Sequence, residues 1–182
     1  MKTIGVMCYQ GGGHLHISAL QNLGFQTLSI YAQTDFSKVD GLILPGGESS
    51  VQYSYCLKNG LDKKIVEYAY SKKPILGTCA GAILLSNYFS EKVKGLGLIK
   101  ANLIRNFYGR QIKSGNVKTD MGNEVTFIRA PGIIDIDLSK VTILDTYEKN
   151  PILIHQDNIY CATFHPELSK LDSSNVMAKI FK

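Results

Sequence analysis

Two short stretches of this chain carry the residue types of a nucleophilic hydrolase. In the first, Pro74-Ile75-Leu76-Gly77-Thr78-Cys79-Ala80-Gly81-Ala82-Ile83-Leu84-Leu85, an apolar run of strand character meets a cysteine flanked by glycines at Gly77 and Gly81. An apolar run of helical type follows at once, the pattern of a nucleophile elbow with cysteine in the place more often held by serine. Small residues there permit a sharp turn and a close approach by other backbone. A helix opening just beyond Cys79 turns its unpaired N–H groups and positive end toward the sulfur, which favours a thiolate. The alternative is a buried thiol at an ordinary strand–helix junction, since free cysteine is among the most buried residue types.

A cysteine nucleophile needs a base, and the base needs a partner to orient it. Four histidines compete for that role. His14 and His16 sit at the start of a helix and read as a cap and a core-edge residue, and His155 falls inside a strand-like run. His165 alone directly follows a strand and has a carboxylate, Glu167, two residues on. Pro166 fixes its own φ and biases His165 toward extended geometry, so the His-Pro-Glu unit is stiff. Glu167 on one ring nitrogen would leave the other facing the thiol, the logic of a triad. Otherwise Glu167 is a carboxylate at a helix N-terminus. Paired glycines in Pro45-Gly46-Gly47-Glu48-Ser49-Ser50, at the end of another strand, leave backbone N–H groups able to stabilise an oxyanion.

These groups must be positioned by an alternation of strands and helices. Strands are expected over residues 3–8, 25–31 and 40–44, with the elbow strand in the short apolar run that ends at Cys79. Helices are expected over 14–23, after Ser50 around Tyr53, Cys56 and Leu57, over 61–70 and beyond Cys79. His16, Ala19, Leu20 and Leu23 fall on one face of the first helix. Gly11-Gly12-Gly13 lacks the third glycine of a dinucleotide fingerprint, with His16 in its place, and reads instead as a tight turn that raises Gln10 above the sheet. From Gly95 onward short strands at 96–99, 101–104, 116–118, 125–129, 141–146 and 151–155 suggest an antiparallel part packed beside the core. A last strand over 159–164 and an amphipathic helix from about Asp172 close the chain. The reading is an α/β fold: one three-layer domain over residues 1–182, its central, mostly parallel sheet flanked by helices, with a smaller antiparallel part. Ligands of such sheets sit beyond the carboxyl ends of the strands, where Gln10, Gly46-Gly47 and Cys79 all fall.

The totals narrow the partners. With 45% hydrophobic and 19% charged residues in 182, the composition suits a globular domain with a sizeable core. No apolar run reaches the roughly 18–20 residues of a membrane span, and the first residues lack a signal-peptide pattern. Cys8, Cys56, Cys79 and Cys161 are scattered without metal-ligand spacing, so neither a metal nor a disulfide framework is expected, and a cytoplasmic setting is. The net charge of +5 comes from lysines spread in ones and twos, the pattern of a solvated surface and not of a nucleic-acid site.

Gly77-Thr78-Cys79-Ala80-Gly81 together with Phe164-His165-Pro166-Glu167 resembles the class I (triad) glutamine amidotransferases. Within that group the chain is similar to the glutaminase subunits of pyridoxal phosphate synthases. The matching stretches are Leu44 to Ser49, Arg105-Asn106-Phe107-Tyr108-Gly109-Arg110-Gln111, Ile128-Arg129-Ala130-Pro131 and Phe164 to Leu168. They span nearly the whole chain, and the two arginine stretches distinguish this subfamily from its relatives. The resemblance implies hydrolysis of L-glutamine to glutamate and ammonia by Cys79, His165 and Glu167. It implies oxyanion donors on the backbone of Gly47 and Ala80, and glutamine held by Gly47, Glu48, Ser49, Arg105, Ile128 and Arg129. No cofactor is implied for the glutaminase itself. Ammonia would pass to a pyridoxal 5'-phosphate synthase (lyase) subunit within a large hetero-oligomer. A class I amidotransferase serving a different synthase and a catalytically silent regulatory subunit are the alternatives. The chain departs from the family at Gly12-Gly13-His14-Leu15 and at Gly115 after Ser114, in loops that in the family contact the synthase.

Overall fold

The computed structural model of the chain describes residues 1–109 and 115–182. Arg110, Gln111 and Ser114 therefore lie outside the described residues. In chain order the elements are β1 (Thr3–Met7), α1 (Gly13–Asn22), β2 (Gln26–Ile30), β3 (Gly41–Leu44), α2 (Ser49–Lys58), α3 (Leu61–Tyr70), β4 (Ile75–Thr78) and α4 (Ala80–Leu85). The second half adds β5 (Asn102–Ile104), β6 (Gly115–Lys118), β7 (Glu124–Phe127), β8 (Gly132–Ile134), β9 (Thr142–Tyr147), β10 (Asn150–Gln156), β11 (Ile159–Ala162) and α5 (Val176–Phe181).

Seven strands form the central sheet in the order β2-β1-β3-β4-β11-β10-β9. The first five run parallel, and β10 and β9 extend the same sheet antiparallel. The antiparallel part is thus in large measure the edge of the core sheet and not a body beside it; only the pairs β5-β8 and β6-β7 stand apart. Strand alternation sorts the core into two layers. Leu42, Leu44, Ile75, Ile159 and Cys161 pack with α2, α3 and α4 on one face, whereas Ile4, Val6, Ile43, Leu76 and Ala162 pack with α1 and α5 on the other. All four residues of β3 and all four of β4 are buried, as strands covered on both faces must be.

Four local expectations differ from what folds. Residues 96–99 make no strand: Leu96 N–H donates to Leu84 O, Gly97 N–H to Ser86 O, and Leu98 and Ile99 N–H to Leu85 O. Their apolar alternation records burial against the end of α4, whose last carbonyls need donors. Strand β8 follows Pro131 and opens on Gly132, turn residues that masked it. Helix α5 begins at Val176, because Asn175 Oδ1 accepts from Met177 N–H and caps it there. His16 is fully buried and does not lie at the edge of the core.

Candidate active site

The cysteine owes its position to the turn between β4 and α4. Cys79 has φ +48° and ψ −104°, a left-handed backbone that an L residue adopts at a cost of about 1–3 kcal/mol. Its N–H donates to Ala162 O at 2.8 Å, so β11 holds the elbow in register. Glycine is obligatory at Gly81, where a Cβ would stand 1.9 Å from Leu44 O. The turn can tighten only because helix and β3 backbone touch there. Ala80 opens α4, and the first N–H groups of a helix have no carbonyl behind them.

Because β11 is the parallel neighbour of β4, with Ala162 opposite Thr78, its continuation delivers His165 beside Cys79. The loop is pinned from several sides. His165 N–H donates to Thr126 O at 2.9 Å. Asn175 Nδ2 donates to Pro166 O at 2.9 Å and to Lys170 O at 3.0 Å. His165 Nδ1–H donates to Glu167 Oε1 at 2.8 Å, and Nε2 is buried with no hydrogen-bond partner among the described protein groups that meets the usual geometry. Burial by itself would lower the His165 pKa. The neighbouring Cys79 and the Glu167 carboxylate outweigh it and push the imidazole up to about 10. Burial likewise works to raise the Glu167 carboxyl, but the His165 hydrogen bond and the two nearby imidazoles, His16 and His165, hold it below the usual carboxylate range. The arrangement favours a protonated His165 beside the Cys79 sulfur and an ionised Glu167.

The third wall comes from the loop after β3. Gly12 N–H donates to Gly46 O at 3.0 Å, Gln10 Oε1 accepts from Glu48 N–H at 3.1 Å, and Gln52 Nε2 donates to Pro45 O at 3.1 Å. The loops after β1 and β3 therefore form one tied unit, with Gly46 against the His165 ring. Glu48 caps α2 through Ser50 and pairs with Arg105 Nη2 at 2.7 Å. Burial presses its carboxyl upward, yet the Ser50 hydrogen bonds and the Arg105 charge bring it below the ordinary value. Ile128 O lies 3.9 Å from Cys79 Sγ, and the next residue, Arg129, has φ +45°.

A cleft of about 330 Å³ joins these pieces. Gly47, Glu48, Ser49, Cys79, Ala80, Arg105, Ile128, Arg129 and His165, all singled out from the sequence, line it together with Gln10 and Asn106. Glu167 stands behind His165. Sequence reading passed over Gln52 and Asn175, the two buried amides that tie the Gly46-Gly47 and His165 loops; an isolated amide carries no motif. It also placed His16 with the core, although that ring lies 3.1 Å from Glu167 Oε2. Chemically, the site offers a nucleophilic sulfur, an oriented acid–base, backbone donors and a rim with charges of both signs.

Comparison with known proteins agrees in scale and in kind. The profile of the SNO glutamine amidotransferase family matches residues 6–181. The pyridoxal 5'-phosphate synthase subunit PdxT of Thermotoga maritima is 40% identical over 176 residues, covering 91% of this chain and 92% of that one. Its namesake from Listeria innocua is 35% identical over 187 residues, covering 100% and 97%. Among solved structures, a glutamine amidotransferase superposes with a TM-score of 0.83 at 29% identity over 91% of this chain and 90% of its own. PurLQS from Thermotoga maritima, at 19% identity and a TM-score of 0.66 over 92% and 89%, shares the fold.

Proposed function

The chain belongs to the SNO glutamine amidotransferase family, and from that premise we propose that Cys79, His165 and Glu167 are its catalytic triad. The chain is a glutaminase: it hydrolyses L-glutamine to glutamate and ammonia as a subunit serving pyridoxal 5'-phosphate synthesis. The observation that carries the residue assignment is the buried His165 between Glu167 Oε1 at 2.8 Å and the elbow cysteine, its Nε2 claimed by no other described residue.

The Cys79 sulfur attacks the side-chain amide carbon, and the charge that develops on the amide oxygen is met by the N–H groups of Gly47 and Ala80. Losing one such donor typically costs ~10²–10³ in rate. His165 passes its proton to the departing nitrogen, which leaves as ammonia, and a glutamyl thioester remains on Cys79. Neutral His165 then takes a proton from water, hydroxide attacks the thioester, and glutamate leaves as the thiol is restored. Glu167 keeps the ring in the tautomer that both steps need. At the rim, Glu48 pairs with the α-ammonium of glutamine and Arg105 and Arg129 with its α-carboxylate, while Ser49 and the Gly47 and Ile128 backbone fix the amide. The scheme calls on no metal or cofactor.

The whole of 1–182 acts as one glutaminase domain. Its ammonia goes to a lyase-type pyridoxal 5'-phosphate synthase subunit in a large hetero-oligomer, in the cytoplasm and without nucleic-acid or membrane contacts. No helix among the described residues is long and apolar enough to cross a membrane. The test is glutamate release from glutamine with and without the cognate synthase. Release should rise on adding the synthase and disappear in Cys79→Ala; robust turnover by Cys79→Ala would remove the nucleophile assignment.

A further inference from the structure

Glu167 has a second histidine behind it. Its Oε1 accepts from His165, but Oε2 lies 3.1 Å from Nε2 of His16, a residue 0% exposed on α1. His16 Nδ1–H donates to Gly12 O at 3.1 Å, and Nε2 shares a hydrogen bond with Thr78 Oγ1 at 3.3 Å. Thr78 is the residue before the nucleophile. Oε2 itself accepts no well-aligned hydrogen bond among the described residues. A carboxylate oxygen buried in that way is expensive unless a positive or donating group compensates it.

The Gly12 carbonyl claims the Nδ1 proton, so the state of Nε2 decides the contact with Glu167. With Nε2 bare, a lone pair faces the carboxylate, and the Thr78 hydroxyl donates to the ring. With Nε2 protonated, the same 3.1 Å contact becomes attractive. Burial lowers the His16 pKa and protonated His165 lowers it further; together they outweigh the Glu167 charge and the Gly12 hydrogen bond, which raise it, and hold it below the ordinary value. The groups acting on this cluster are His165 and Glu167 from the histidine loop and His16 from α1, with Cys79 beyond His165; β4 contributes the uncharged Thr78. When His165 gives up its proton during turnover, one cation opposing His16 disappears and the Glu167 charge bears on His16 alone.

We infer that His16 is a positioning residue of this active site: it backs the Glu167 carboxylate from the side opposite His165 and, once His165 has given up its proton and His16 is protonated, stabilises the ionised carboxylate. The inference rests on the triad reading above. Two substitutions separate it from simple core packing. Glutamine sets its amide nitrogen where the imidazole holds Nε2 and can donate to Oε2, whereas leucine fills the space with no donor. His16→Leu should lower kcat about tenfold to a hundredfold, the loss expected when a charged group forfeits a hydrogen bond, with KM for glutamine little changed. Its acid limb in kcat/KM should move to higher pH by about half a unit or more, because Glu167 loses a neighbour that depresses its pKa. His16→Gln should recover most of the lost kcat and most of the shift.

Both variants are assayed with the cognate synthase, and peptide-resolved alkylation of Cys79 reports the folded site. A folded His16→Leu protein within threefold of wild type and with an unmoved acid limb overturns the inference, as do equal losses in the Leu and Gln variants with the wild-type profile. Should the Leu variant fail to fold, imidazole 15N resonances of wild type and Glu167→Gln decide: the His16 signals should shift when the carboxylate is removed, and unmoved signals refute the contact. Turnover by Cys79→Ala would instead defeat the triad itself, whatever His16 does.

Discussion

A single methyl group at Gly46 should disable the site while leaving the fold intact. A Cβ built there stands 2.6 Å from Cε1 of His165 and 3.4 Å from Cβ of Cys79. The first distance is about 0.8 Å inside the 3.4 Å lower edge of ordinary contact, and the second sits on that edge. The Gly46 backbone cannot yield freely, because its carbonyl accepts from Gly12 N–H at 3.0 Å. The imidazole borders an open cleft and is the easier partner to move. A displacement of that size at an acid–base costs about a hundredfold in rate, or about 2.7 kcal/mol of barrier. Gly46→Ala should therefore lower kcat for glutamine roughly a hundredfold, with KM within about threefold and a small change in Tm. Gly12→Ala is the control, since its added Cβ would lie 3.6 Å from Glu167 Oε1, in ordinary contact. That variant should stay within about threefold of wild-type kcat, because no group of the triad has to move. Steady-state kinetics with the synthase present, with thermal melts of both variants, settle it. Gly46→Ala protein of wild-type kcat would refute the claim that His165 is held against the oxyanion loop.

Two further outcomes follow from the charges. Glu167→Gln removes two of the influences that raise His165 to about 10, so the protonated acid should persist only to lower pH. The basic limb of kcat should move down, with a rate loss of about 10²–10⁴, and an unmoved limb would show that Glu167 does not control this imidazole. Arg105→Ala breaks the 2.7 Å contact with Glu48, but both side chains are 37% exposed, so stability should change by less than about 1 kcal/mol. KM for glutamine should rise about tenfold with kcat little altered; a KM equal to wild type would remove Arg105 from the substrate site.

What the sequence disclosed about this molecule was whatever is encoded by neighbours along the chain. The elbow is legible because the demand on Gly77 is local to one turn, its added Cβ meeting the Gly81 and Ala82 backbone, and because Gly81, held against β3, falls within the same short motif. The His-Pro-Glu unit is legible because its stiffness comes from the proline between its two active groups. The order β1 to α4 could be read because β1, β3 and β4 are buried on both faces and announce themselves as apolar runs. Beyond Gly95 the same signal misleads at one place: residues 96–99 are apolar because they cover the end of α4. The strands expected at 141–146 and 151–155 do form, as β9 and β10, although the two pair with each other across a register shift.

His16 shows where that logic reaches its limit. Helical spacing put it on the inward face with Ala19 and Leu20, and that face is indeed buried. Spacing along α1 records only that a side chain points inward, however, and says nothing of what it meets there. Glu167 lies on the other side of the parallel strand array in sequence, and the contact forms because α1 packs against the turn Pro166–Leu168. A histidine among core positions is usually satisfied by backbone, and the Gly12 carbonyl would have completed that ordinary picture. The signal that sets His16 apart is chemical: an imidazole on an inward helix face, where a hydrocarbon would bury at lower cost, has a polar partner to find. In this fold the charged group within its reach is Glu167, the carboxylate proposed to orient the catalytic base.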